Sequence, residues 1–289
     1  MRELMHEAGL EAALAHVPGY VPGRCEGTVR RLSGGSVNRS YRVCTPAGGY
    51  VVRLSPVTDA WLAADRSVER ELHARAAAAG IAPRIVHADG NDRWLITELV
   101  EGRLWSEADF GKPHSLGLLA DTLSVVHALE PPAGAPIDLL GTIGAYARQL
   151  QPADPRLEGW LDAAARAWPL SGAPERQPAI VHHDLHASNL IETGAGLRLI
   201  DWECAAVADP LLDVACILSY YETAWSCAAL LLERAGLRGI DASQLRASVW
   251  LFDLHTWLWY CERRQRLSPT QAELDAEQRL SARLMRGVA

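Results

Sequence analysis

Between Ile180 and Asn189 the chain reads Ile-Val-His-His-Asp-Leu-His-Ala-Ser-Asn, and Leu199-Ile-Asp-Trp-Glu203 follows, which sets Asp201 seventeen residues beyond Asp184. Two acids and an amide offered from the ends of short apolar strands suit phosphoryl transfer. One carboxylate accepts a hydrogen bond from an attacking hydroxyl, while a second carboxylate and an amide oxygen hold Mg²⁺ against a triphosphate. Asp184 fits the first task, and Asn189 with Asp201 fits the second. His182, His183 and His186 crowd the same stretch and invite a metal-site reading. They lie in an irregular loop with no helical i, i+4 spacing and no distant fourth ligand, so zinc is the weaker reading.

The spacing His182-x-Asp184-x-x-x-x-Asn189 matches a protein-kinase catalytic loop, with Asp201 in place of the metal-binding Asp that follows and Trp202 at the usual Phe position. Upstream, Ser33-Gly34-Gly35-Ser36 alone is an ordinary hairpin turn. Between the first two strands of a nucleotide-binding lobe, the amides of Gly34 and Gly35 approach phosphate oxygens, and Ser36 and Asn38 add side-chain donors. Arg53, in Tyr50-Val-Val-Arg-Leu54, sits where such lobes carry a phosphate-clamping lysine, and its planar fork can bridge phosphate oxygens. Lys112 is the sole lysine of the sequence, so an Arg in that place is mild evidence for any one branch. Its helix partner is expected to be Glu71, or else Glu69; two residues apart, they face different sides. Adenine is expected beside the strand Trp94 to Val100, with Glu98 and Val100 supplying backbone groups.

Taken in order, these segments resemble the aminoglycoside phosphotransferase and choline kinase superfamily, most of all its bacterial thiamine kinase and choline or ethanolamine kinase branches. The resemblance runs from about Gly27 to about Arg264. It rests on the two motifs above, on Leu32-Ser-Gly-Gly-Ser-Val-Asn-Arg-Ser-Tyr-Arg-Val43, on the Arg53 strand, and on Asp209-Pro-Leu-Leu-Asp213-Val-Ala. It implies ATP and Mg²⁺ as cofactors, His182 as a buried scaffold residue and Asp213 as a buttress of the catalytic loop. It also implies a two-lobed, protein-kinase-like α+β fold: a small five-stranded antiparallel sheet lobe and a larger, mainly helical lobe.

On the acceptor side, Trp250, Leu254, Trp257, Leu258 and Cys261 form a stripe at helical spacing whose usual meaning is core packing. Asp253, Trp257 and Tyr260 share its flank and join a carboxylate to two aromatic faces, a combination that stabilises a cation. Glu203 and Glu222 add negative potential. The implied acceptor is a small cationic alcohol, thiamine first and choline or ethanolamine next. An aminoglycoside, homoserine or a sugar is the alternative, as is a non-catalytic pseudokinase, although the latter usually loses one of the residues kept here as Asp184, Asn189 and Asp201. A protein kinase is disfavoured because no A-P-E segment follows Asp201.

The elements that must position these residues can be read from periodicity. An amphipathic start over 1–19 leads through a Pro- and Gly-rich linker into strands at 28–32, 40–44 and 50–54, a helix over 60–79 ending at Gly80, and strands at 85–88 and 94–100. The lobe boundary is expected near residue 100, giving a nucleotide-binding lobe over 1–100 and a catalytic, substrate-binding lobe over 101–289. The latter reads as helices over 116–129, 143–150, 157–168, 211–235 with a break, 244–264 and 269–286, interrupted by strands at 180–189 and 197–205 around the Thr193-Gly194-Ala195-Gly196 turn. With 289 residues, 49% of them hydrophobic, the chain can fill both cores. A net charge of −7 disfavours a nucleic-acid partner. Six scattered cysteines without a C-x-x-C pair fit reduced thiols. With neither a signal-peptide pattern nor a membrane-spanning run, the expectation is a cytoplasmic monomer or homodimer that binds no membrane.

Overall fold

A computed structural model describes residues 9–24, 28–32, 38–55, 66–134, 136–151 and 154–288. The chain divides into two compact units. One carries the chain up to Ser106 and again over Ala187–Cys204; the other carries Glu107–His186 and the chain from Ala205 onward.

The first unit is built on a five-stranded antiparallel sheet of β1 (Val29–Arg31), β2 (Arg39–Thr45), β3 (Gly48–Leu54), β4 (Ile85–Ala88) and β5 (Trp94–Glu98), in the order β1-β2-β3-β5-β4. Alternation decides its two faces. Tyr41, Val43, Tyr50, Val52, Leu54, Trp94 and Ile96 turn to one side and pack with Leu10, Ala13 and Leu14 of α1 (Leu10–Leu14). A helix of that length has no stability of its own in water. Three buried side chains hold it, a fully buried leucine contributing about 1.5–3 kcal/mol. Arg53, between Val52 and Leu54, must point to the opposite face, where α2 (Arg66–Ala78) runs before ending at Gly80 in the left-handed region.

The boundary expected at residue 100 moves to Ser106, and a later segment joins the first unit. β6 (Arg103–Leu104) pairs with β8 (Leu190–Thr193), which pairs with β9 (Gly196–Leu199), and the Trp105 amide donates to the Leu190 carbonyl at 3.0 Å. The turn expected at Thr193 to Gly196 is present, with the Thr193 hydroxyl bonded to the Gly196 carbonyl at 2.8 Å. The strands around it are shorter than expected: only β7 (Ala179–Val181), in the second unit, precedes the loop, and Trp202–Cys204 is a 3₁₀ turn. Residues 182–189 cannot continue β7, because the amides of His182, His183 and Leu185 bond side chains of a helix rather than a strand.

That second unit is mainly helical: α3 (Pro113–His127), α4 (Leu139–Gln149), α5 (Leu157–Leu170), α6 (Leu211–Tyr220), α7 (Ala228–Arg234), α8 (Ala242–Arg266) and α9 (Gln271–Leu284), with β7 paired to β10 (Ala206–Ala208). The break expected within 211–235 is a 3₁₀ stretch over Glu222–Cys227. Capping boxes at Asp241/Gln244 and Thr270/Glu273 start α8 and α9, as hydroxyl and carboxylate caps satisfy first-turn amides. Core residues of α4, α5, α8 and α9 form one apolar cluster, in which Trp257 meets the edge of Trp160 at 4.9 Å.

Candidate active site

In the first unit the hairpin β8–β9 dictates the geometry. Its register sets Leu190 opposite Leu199, and one step further out the Ile200 amide donates to the Asn189 carbonyl at 3.0 Å. Asn189 therefore lies opposite Ile200, and Asp201 follows one residue further out at the same open end of the hairpin. Asp201 holds φ at 61°, a conformation that few non-glycine residues adopt and that gathers at functional sites. Next to it Trp202 is fully buried, donates from Nε1 to the Leu199 carbonyl at 3.0 Å and stacks on His73. That anchor fixes the strand end bearing Asp201.

Arg53 reaches this end from β3. Its Nη1 donates to Asp201 Oδ1 at 3.1 Å and its Nη2 to Glu69 Oε1. Arg66 donates through Nη1 to Glu69 Oε2 at 2.7 Å and to Glu203 Oε2 at 3.1 Å, and Asn38 Nδ2 donates to the same Glu203 oxygen at 2.6 Å. Burial alone would push the Arg53 guanidinium down, yet Glu69, Asp201 and Glu203 together raise it above its ordinary value. Burial would likewise raise the Glu69 carboxyl, but Arg53 and Arg66 hold it below the usual range. Two guanidinium groups thus face three carboxylates. The surplus negative charge, with a carboxylate and an amide oxygen as donors, fits Mg²⁺, a hard cation that takes its remaining ligands from phosphate and water.

Two expectations fail in this cluster. Glu71 does not face Arg53: it pairs with Arg75 one turn along the surface of α2, while Glu69 is buried against Arg53. The phase of α2 turns Glu69 to the sheet, and a residue two positions on necessarily turns away. Glu203 does not offer free charge to an acceptor, because Arg66 and Asn38 already occupy it. At the end of β5, the Glu98 amide donates to the Arg84 carbonyl and its carboxylate takes the Arg84 guanidinium, which narrows its expected contact with adenine to the carbonyl. Val100 follows, beyond the strand. Gly34, Gly35 and Ser36 lie outside the described residues.

In the second unit one face of α6 grips the loop that carries Asp184. Asp213, fully buried, accepts the His182 amide at 3.1 Å and the His183 amide at 2.8 Å on Oδ1, and faces His127 Nε2 at 2.9 Å through Oδ2. Burial alone would raise its carboxyl; His127 and the loop amides hold it below the ordinary range. Three residues on, Cys216 Sγ accepts the Leu185 amide at 3.3 Å. Four further, Tyr220 stacks on His186 at 4.0 Å, and His186 Nε2 stands 3.3 Å from Asp184 Oδ1. Loss of hydration on the face against Tyr220 lowers His186 to about 4, although its outer edge stays open. His183 holds φ at 66° and stacks on His255, whose enclosure takes it down to about 3. Among the described residues no group of three or more His, Cys, Asp or Glu is disposed to hold a metal.

The expected cation wall on α8 is dismantled. Asp253, itself buried, accepts Arg283 Nη2 at 2.6 Å and the Ser219 hydroxyl at 2.6 Å, so its carboxylate is taken up by partners within the second unit. Trp257 is a core residue, packed on Trp160. Tyr260 is half-buried at the margin of that cluster, and burial and the nearby Asp184 push its phenol up. A pocket of about 330 Å³ lies elsewhere in this unit, lined by Glu107, Gly111, Tyr220, Tyr221, Glu222 and Thr223. Glu222 was expected on the acceptor side; Glu107 and Tyr220 were not. The one signal for Tyr220 is its position seven residues after Asp213, on the same face of α6.

The model of the phosphotransferase enzyme family matches residues 28–248, which takes in the whole of the Arg53 cluster and the α6 grip. The chain belongs to that family. Among curated members, a thiamine kinase of Shigella boydii is 38% identical over 102 residues, 34% of this chain and 35% of the relative. The match thus spans about a third of the curated relatives' length. Two solved structures share the kinase-like fold. A choline/ethanolamine kinase family protein from Mesorhizobium loti superposes with a TM-score of 0.78 at 20% identity, covering 95% of this chain and 92% of that one. The choline kinase LicA from Streptococcus pneumoniae gives 0.75 at 19% identity over 89% and 94% of the two chains. LicA has also been solved with AMP.

Proposed function

We propose that this phosphotransferase moves the γ-phosphoryl group of ATP to the hydroxyl of a small cationic metabolite, thiamine first and choline or ethanolamine next. The observation that carries the reading is the placement of Asn189 and Asp201 at one end of the β8–β9 hairpin, where Asn189 bonds Ile200 and Asp201 follows it, with the Arg53 guanidinium on Asp201. Asn189 and Asp201 would hold Mg²⁺, which supplies charge neutralisation on the triphosphate when bound. Arg53 can bridge phosphate oxygens through its fork. Asp184 accepts the hydrogen bond of the acceptor hydroxyl and takes its proton as the new O–P bond forms and the bond to ADP breaks. The phosphate-binding role read from the sequence for Gly34, Gly35, Ser36 and Asn38 is kept in this reading, and the Glu98 carbonyl and Val100 amide would meet adenine.

The acceptor assignment draws on the partial thiamine kinase likeness and on the pocket at Tyr220. Two carboxylates and two phenol rings there suit a cation, through charge pairing and the negative faces of the rings. An ATP-consumption screen over thiamine, choline, ethanolamine, aminoglycosides, homoserine and sugars tests the reading. Turnover with a cationic alcohol is expected. Turnover confined to aminoglycosides or neutral sugars overturns the acceptor class, and no turnover with nucleotide still bound points to a pseudokinase.

A further inference from the structure

Asp184, Asn189 and Asp201 do not by themselves explain how the loop keeps its shape around Asp184. Each N–H of the loop belongs to a planar peptide unit, and holding the N–H holds the plane. Asp213 receives the amides of His182 and His183, so it fixes the two planes that precede the His183–Asp184 bond. The plane that adjoins Asp184 on its far side carries the Leu185 amide, and that amide donates to Cys216 Sγ at 3.3 Å. Leu185 and Cys216 are both fully buried, so water cannot replace the sulfur as a partner. His183 holds φ at 66°, which bends the chain immediately before Asp184 and makes its direction depend on what is held on either side.

We propose that Cys216 is a positioning residue of the phosphotransfer reaction: its thiol holds the peptide plane after Asp184 and thereby aims the Asp184 carboxylate. This rests on the role assigned to Asp184 above. Asp213, Cys216 and Tyr220 recur at i, i+3 and i+7 along α6, and they meet loop residues 182–183, 185 and 186 in the same order. One helix face therefore reads the loop residue by residue. Burial and the charge of Asp184 push the Cys216 thiol well above its ordinary value, so it stays protonated and inert toward oxidants. A weak sulfur acceptor is enough, because the alternative is a buried amide with no partner.

The test compares Cys216→Ala, Cys216→Val and Cys216→Ser in the full chain. Alanine removes the acceptor and leaves space; valine removes the acceptor and keeps the volume; serine keeps an acceptor. With the best acceptor from the screen, alanine and valine are expected to lower kcat by roughly tenfold to a hundredfold, the cost of a misaimed catalytic group, with KM for ATP little changed. Serine should restore most of the loss, which a purely packing role would not predict. Hydrogen exchange at the Leu185 amide should be slow in the parent and in serine, and fast in alanine and valine. Parent kcat in alanine and valine overturns the positioning role, whatever the exchange shows; unchanged exchange overturns the clamp itself. An inactive parent defeats the phosphotransfer reading instead, and the exchange measurement still decides whether Cys216 holds the loop.

Discussion

Arg53 Nη1 donates to Asp201 Oδ1 at 3.1 Å, so the residue proposed to clamp phosphate and the residue proposed to hold magnesium neutralise each other. Glu69, the second partner of Arg53, holds the other arm of its guanidinium away from Asp201. A divalent cation held by Asp201 would compete with the guanidinium for the same carboxylate, and Arg53, still held by Glu69, would then be able to turn its other arm to phosphate oxygens.

Asp201→Ala should therefore abolish the Mg²⁺-dependent part of the stabilisation by ATP, while Arg53 keeps its bond to Glu69. Melting with ATP, with and without Mg²⁺, measures it. An ATP·Mg²⁺ shift equal to the parent's means that Asp201 is not a metal ligand.

Glu69→Gln and Glu71→Gln separate two acids two residues apart. Glu69 is buried between Arg53 and Arg66, and removing its charge leaves two guanidinium groups short of a partner. Arg53 keeps Asp201 and Arg66 keeps Glu203, so the loss should be that of hydrogen bonds to charged groups, about 1.5–3 kcal/mol. Glu71 is exposed and meets only Arg75, so its replacement should stay within about 0.5 kcal/mol. Urea unfolding of both variants gives the comparison, and equal losses would contradict the assignment of Glu69.

How much of this was readable beforehand divides along physical lines. The motif at Asp184, Asn189 and Asp201 is local in sequence, and a hairpin carries its ends together whatever surrounds it. The five-stranded sheet and most helices follow from alternation and caps. The choice between Glu69 and Glu71 was not readable: helix phase says only that one faces inward, and which one depends on how α2 lies on the sheet. Asp253 misled because α8 is buried on nearly every side, so a polar residue on it has no solvent-facing stripe to betray its role. Its partner Arg283 sits thirty residues on, in α9. The short β6 and β10 carry too few residues for a period to register.

Asp184→Asn should retain nucleotide binding and lose roughly two to four orders of magnitude in kcat, the range for a group that handles a proton in the transition state. Steady-state kinetics with isothermal titration of ATP reads both halves. Parent turnover in this variant removes Asp184 from the chemistry.

Acid should destabilise the second unit through its histidines. In the unfolded chain an imidazole titrates near 6.5, whereas burial takes His255 to about 3 and His186 to about 4, and lowers His183. Between those values the unfolded state binds protons that the native state does not, so stability rises with pH and falls as pH drops from about 6.5 toward 4. A histidine held neutral throughout that window adds at most about 1.4 kcal/mol per pH unit, and His255 and His186, both partly open to solvent, add less. Unfolding curves from pH 7.5 to 4.5 should show this loss, and His255→Phe should flatten it. An unchanged slope in that variant would mean that His255 titrates normally.

The acceptor side is decided by Glu222→Gln against Asp253→Asn. Glu222 is exposed in the pocket with Glu107, Tyr220 and Tyr221, where its charge is available to a cation. A cation held over aromatic faces gains about 0.5–2 kcal/mol, and a charge partner adds to that, so Glu222→Gln should raise the acceptor KM severalfold with little effect on KM for ATP or on stability. Asp253 is buried against Arg283 and Ser219, both inside the second unit. Its replacement should cost about 1–3 kcal/mol of stability, the loss of hydrogen bonds to a charged group, and leave the acceptor KM where it was. Initial rates at varied acceptor, read beside the melting temperature of each variant, distinguish the two sites. If Asp253→Asn raises the acceptor KM and Glu222→Gln does not, the cation is bound along α8 and the Tyr220 pocket has another use.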